Sequence, residues 1–183
     1  MKAWRTTDGV SLVELLVSLA ILGVVLACVF EGLHSALKVY GWGVGRVETQ
    51  QSARIAMERM IAELREAGYD PKGAGIQPVV AADHAFVTFQ KDANANGIVD
   101  PTRERITFVL RAGETTLRRD AGGGAQPIID GVRRFTLAYF DRAGVPVSDP
   151  ARVASVRIHL EVGLGGPVTV IETDVSLRNH RAP

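Results

Sequence analysis

Oxygen-bearing side chains recur at alternate positions in Asp92-Ala93-Asn94-Ala95-Asn96-Gly97-Ile98-Val99-Asp100. With a glycine for the sharp turn, this spacing can wrap a hard cation: Asp92, Asn94, Asn96 and Asp100 would offer side-chain oxygens and Ile98 its carbonyl. The twelfth position is Arg103, where an EF-hand loop needs a bidentate glutamate, and Glu104, the third candidate carboxylate, stands one residue late. Calcium at weak, extracellular-type affinity is one expectation; no cofactor is required. The other is a polar turn in which Asn and Asp bond their own backbone. The second residue of chemical interest is Glu14, a carboxylate inside an otherwise apolar run.

Other reactive types do not assemble into a motif. His34, His84, His159 and His180 are scattered, and His159 is expected as an isolated histidine on a solvent face. The only cysteine, Cys28, excludes an intramolecular disulfide and a cysteine-based metal site. There is no G-x-S-x-G, H-E-x-x-H or Walker loop, so enzyme activity is not expected. Gly41-Trp42-Gly43-Val44-Gly45 has a phosphate-loop look but no preceding strand. A kink or joint between helical segments is the expectation there, because each glycine weakens a helix by about 1 kcal/mol. Formal net charge is +1, no electrostatic footprint for nucleic acid.

The apolar run holds Glu14. Val10–Phe30 is broken only by Ser11, Glu14, Ser18 and Gly23, and about 20 residues span a bilayer core as a helix. Lys2 and Arg5 precede it, which keeps the short N-terminus cytoplasmic and exports the rest. A secretory signal peptide would have a shorter apolar core of about 7–15 residues. Val25-Leu26-Ala27-Cys28 loosely resembles a lipobox, but Val29-Phe30-Glu31-Gly32-Leu33 reads as continuing helix, not as a polar tether. A charge at the centre of such a helix costs about 2.5–3.5 kcal/mol even on lenient scales, and its position near one end softens this. Glu14 can sit at the interface near a helix N-terminus, whose dipole favours an anion, or it can hold a cationic partner within the membrane.

Gly9-Val10-Ser11-Leu12-Val13-Glu14-Leu15-Leu16-Val17, after a short basic leader, resembles the type III signal of type IV prepilins and pseudopilins. The resemblance implies cleavage between Gly9 and Val10 by a prepilin peptidase, N-methylation of Val10, and an assembly role for Glu14. Val10 departs from the usual phenylalanine. Cleavage would make an α-amine of pKa about 7.7–8.0, a cation that can pair with the buried Glu14 of an adjacent subunit. It would also remove Lys2, Arg5 and Asp8, leaving 19 basic against 19 acidic residues.

Beyond the membrane, Ala53, Met57, Met60, Ile61 and Leu64 form an apolar helical stripe, ended by Gly68 and Pro71. Alternation then predicts antiparallel strands at Ala85–Gln90, Arg105–Arg111, Thr115–Arg119, Val132–Asp141, Val153–Val162 and Val168–Arg178. Ala112-Gly113-Glu114 is expected as a hairpin turn, and Gly122–Gly124 and Gly163–Pro167 as loops. The expected class is α+β, a long N-terminal helix packed on a C-terminal antiparallel β-sheet. The divisions are a leader (1–9), a transmembrane or filament-core helix (10–30), its continuation with the glycine joint (31–68) and an exported β-rich domain (69–183). Gln50-Gln51-Ser52-Ala53-Arg54 followed by Leu64-Arg65-Glu66-Ala67-Gly68-Tyr69 resembles the helix end of PilW-type minor pilins, and Val175-Ser176-Leu177-Arg178-Asn179 is similar to that group and to J-type pseudopilins of type II secretion.

The resemblance implies a subunit that helps initiate or cap a type IV pilus or pseudopilus. Its partners would be other pilins or pseudopilins, the prepilin peptidase, the inner-membrane assembly platform and the membrane. It would sit in the inner membrane as a single-pass protein with a periplasmic domain before entering the filament. The alternative is a bitopic or lipid-anchored exported binding domain that uses Val10–Phe30 only as an anchor.

Overall fold

The computed structural model describes residues 9–163 and 167–179. The leader residues 1–8 and part of the Gly163–Pro167 loop lie outside them. The chain divides into two compact units, Met1–Val44 and Gly45–Pro183. The expected glycine joint falls at this boundary; the backbone of 41–46 is helical and its side chains lie outside the described residues.

Helix α1 runs Leu12–Arg65. In its second half Ala53, Ala56, Met57, Met60 and Leu64 recur at three- and four-residue spacing and are buried, while Arg54, Glu58 and Arg59 face water. The exposed face carries ion pairs one turn apart, Arg54–Glu58 at 3.0 Å and Arg59–Glu63 at 3.1 Å. The turn that follows Arg65 closes at Gly68, at φ +73°. A Cβ there would lie 2.6 Å from Pro78 Cγ, so only glycine serves.

Two antiparallel meanders cover the apolar stripe. The first sheet is β1 (Val79–Asp83), β2 (Phe86–Gln90), β3 (Arg105–Leu110), β4 (Leu117–Asp120) and β5 (Gln126–Ile129), in that order. The second is β6 (Val132–Phe140), β7 (Ser155–Val162) and β8 (Thr169–Ser176). The fold is α+β, as expected, and the predicted 112–114 hairpin joins β3 to β4 with Leu110 opposite Leu117. The expected single sheet is two. Gly131, at φ +71°, turns the chain between β5 and β6 and redirects it out of the first sheet.

Strands β1 and β5, short and without a clear alternation, escape the sequence reading. Both are edges of the first sheet; β1 is alanine-rich and β5 contains Pro127, which a sheet tolerates only where no ladder N–H is needed. The core joins both sheets to the helix. Phe89 and Phe108 stack at 5.7 Å, and Val156, Ile158 and Leu160 of β7 are fully buried. The Tyr139 hydroxyl reaches from β6 to two carbonyls of the first sheet, Asp83 O at 2.8 Å and Phe86 O at 2.9 Å, and donates to one of them. Its burial pushes the phenol pKa well above the ordinary value.

Candidate processing and assembly site

Gly9 and Val10 precede the helix and are exposed. Ser11 occupies the N-cap position, with Leu15 N–H donating to its carbonyl at 3.1 Å. Glu14 therefore sits in the first turn, where unpaired N–H groups and the helix dipole favour a negative charge. Ser11-Leu12-Val13-Glu14 also has the S-x-x-E spacing of a capping box. No hydrogen bond or ion pair reaches the Glu14 carboxylate from the described residues. Behind it, Leu12–Tyr40 is long and apolar enough to cross a membrane, and none of it is buried within the chain. Cys28 lies in this stretch and is exposed.

The six residues of the alternating oxygen motif gather in one loop between β2 and β3. Asp92 is 0% exposed; its Oδ1 accepts from Asn96 N–H at 3.0 Å and its Oδ2 from Gly97 N–H at 2.8 Å. Asn94 Oδ1 also accepts from Asn96 N–H, and Asn96 Oδ1 accepts from Ile98 N–H. Glu104, 2% exposed, closes the loop, its two oxygens accepting from Asn94 N–H at 3.0 Å and Asp100 N–H at 2.8 Å. Asp100 accepts from the Thr102 hydroxyl and N–H, which together with the Arg103 charge hold its carboxyl below the usual range. Gly97, at φ +84°, makes the turn the motif demands.

Backbone N–H groups thus do the gathering that a cation would otherwise do. Each of these oxygens keeps further lone-pair capacity, and the Ile98 carbonyl belongs to the same turn. Among the described residues, no three His, Cys, Asp or Glu side chains are arranged to hold a metal. Glu104, not Arg103 at the twelfth position, is the residue turned inward.

The loop is pinned from outside by the β4–β5 turn. At Gly122, φ +84°, a Cβ would stand 2.2 Å from Thr102 Cα, whereas at Gly113, φ +77°, it would meet nothing. Alanine at Gly113 should cost only the left-handed strain, about 1–2 kcal/mol. Alanine at Gly122 should cost clearly more, because the clash is with backbone. Thermal melts of the two variants check this; equal losses would contradict the packing.

The outer face of the second sheet carries a charge ladder that the sequence reading missed. His159 is not isolated: its Nδ1 lies 3.0 Å from Glu172 on β8, and its Nε2 lies 3.0 Å from Glu161 on its own strand. Arg157 binds Asp174 at 2.8 and 3.0 Å, and Arg134 flanks Glu161 at 3.6 Å. The available signal was cross-strand register, since His159 faces Glu172 and Arg157 faces Asp174. Two acceptors on one ring require the imidazolium. Glu161 and Glu172 accordingly raise the His159 pKa against opposing burial, and His159 lowers that of Glu161.

The His159 contribution is complete below the unfolded value of 6.5 and fades as pH rises through the raised folded value. That of Glu161 is complete above 4.5 and fades as pH falls through its lowered value. The melting-temperature gap between wild type and His159→Gln should therefore be widest between 4.5 and 6.5 and narrow toward alkaline pH. A gap independent of pH would refute the clamp. Of the other histidines, His84 pairs with Asp83 on the surface, and His180 lies outside the described residues.

No curated protein matches this sequence. Residues 4–29 match the prokaryotic N-terminal methylation motif, the signal of type IV prepilins. The match contains Gly9, Val10 and Glu14 and runs into the exposed apolar helix, and it points to a structural protein. The methylation motif with this helix supports a type IV pilin-like, membrane-anchored, single-pass protein.

Proposed function

We propose that this chain is a minor pilin or pseudopilin, a subunit that helps initiate or cap a type IV pilus or a type II secretion pseudopilus. The observation that carries the reading is a first-turn carboxylate, Glu14, on an exposed apolar helix that begins three residues after Gly9 inside the methylation motif. A prepilin peptidase cuts after Gly9 on the cytoplasmic side, and the Val10 amine is methylated and keeps its charge. That ammonium pairs with Glu14 of an adjacent subunit at the inner-membrane assembly platform, and the β-rich domain lies in the periplasm. Burial demands such pairing, since an isolated charge in a low-dielectric medium is expensive. Other pilins or pseudopilins are the partners, and no catalysis is required of the chain.

Mass spectrometry of the mature N-terminus tests this. Methyl-valine at residue 10 is the expected species. An intact Met1, or a lipidated Cys28 with upstream residues removed, would establish a plain anchor for an exported binding domain instead.

For the 92–104 loop we propose that protein hydrogen bonds suffice for folding and that millimolar calcium adds to them. Asp92, Asn94, Asn96, the Ile98 carbonyl and Asp100 would supply the oxygens, with Glu104 holding the loop closed. The expected result is a protein that stays folded in chelator and melts at higher temperature in millimolar calcium. Unfolding in chelator would contradict the first half, and an unchanged melt with no heat of binding the second.

A further inference from the structure

Four strands form the edges of the two sheets, and three of them are blunted. β1 has five residues and a register shift after Val79. β5 has four and contains Pro127. The free side of β6 is met by backbone groups of other segments: Val132 N–H donates to Thr115 O, Leu137 N–H to His84 O, and Val147 N–H to Tyr139 O. These are the usual devices against stray strand pairing.

β8 lacks these three devices and carries only the edge charges Glu172 and Asp174. Its eight residues pair with β7 without a register shift, and it contains no Pro, Gly or Lys. Among the described residues its outer side takes no backbone hydrogen bond. Of its inward positions Thr169, Ile171 and Thr173 are only half-buried and Val175 is buried, while those of β7 are all closed off. Its outward positions are Val170, 57% exposed, Ser176, and the carboxylates Glu172 and Asp174, which His159 and Arg157 hold from the β7 side.

We propose that β8 is a strand-addition site for an extended segment of a different chain, apolar on its inward positions and basic on its outward ones. Backbone pairing would satisfy the free edge, the apolar positions would complete the cover over Ile171, and the basic ones would add a second cation to the exposed carboxylates that Arg157 and His159 hold from the β7 side. A second copy of β8 fits poorly. The two antiparallel registers that pair the strand most fully set Glu172 against Glu172 or against Asp174, and like charges directly opposite are destabilising. The surface shares no residue with the N-terminal processing site, so the two readings stand or fall independently.

The test uses the full chain in detergent and three labelled peptides: alternating Val/Lys, alternating Val/Glu, and the Val/Lys peptide with a central proline. The Val/Lys peptide should bind, followed by fluorescence anisotropy, and should protect β8 amides from hydrogen exchange. Binding should be about tenfold weaker for the other two peptides and for Val170→Lys, an exposed substitution that blunts the edge. An unchanged wild-type melt for Val170→Lys shows that the fold is intact. Equal binding of all three peptides, or protection elsewhere than β8, overturns the proposal. Dimerisation of the wild type that Val170→Lys abolishes would also overturn it, by making a second copy the occupant.

Discussion

Alanine in place of Glu14 is expected to leave cleavage after Gly9 intact and to reduce incorporation into filaments about a hundredfold or more. The figure follows from the proposed charge pair, because removing one partner of a buried pair strands the other at about 3–5 kcal/mol, and each 1.4 kcal/mol is tenfold. The variant should insert at least as well as the wild type, since a carboxylate in a spanning helix is a cost to insertion. Processing and assembly therefore separate. Glu14→Gln retains shape and polarity without charge and should behave like alanine. Glu14→Asp retains the charge on a shorter stem and should fall between. The measurement is the ratio of mature protein in sheared filaments to mature protein in the membrane fraction. A wild-type ratio for the alanine variant would remove the charge pair from the mechanism and leave Glu14 as a first-turn anion favoured by its own helix.

The largest effect on the folded domain is expected at Glu104. Alanine there deprives Asn94 N–H and Asp100 N–H of their acceptors, each worth about 1–3 kcal/mol where water does not replace the carboxylate. A total near 3 kcal/mol should lower the melting temperature by about 6–12 °C in a chain of this size. Glutamine should cost less but not nothing, because its amide turns one N–H donor toward another donor. Loss of protection at the Asn94 and Asp100 amides in hydrogen exchange would localise the damage. An alanine variant that melts with the wild type would show that the loop is not closed by Glu104.

Periodicity made much of the architecture legible. The alternation of Val156, Ile158 and Leu160 with Arg157, His159 and Glu161 places β7 correctly, and the stripe from Ala53 to Leu64 gives the buried face of the helix. What failed were features for which local pattern and final context differ. β1 and β5 are short and lack a clear alternation, β1 being alanine-rich and β5 carrying Pro127, which argues against a strand everywhere except at an edge. His159 read as isolated because the carboxylate directly across from it, Glu172, lies 13 residues away on β8.

By itself, then, the order of residues determined the spanning-length apolar helix, the methylation motif with Glu14 in it, and the α+β class. Each depends on neighbours in the chain: bilayer thickness sets the length of the run, and side-chain period sets helix or strand. Tertiary structure alone decided that the strands divide into two sheets at Gly131, that Glu104 turns inward to close the oxygen-rich loop, and that β8 is the edge left open among the described residues. These depend on which distant segments meet, and strand pairing couples residues far apart in sequence through backbone bonds that no local period records.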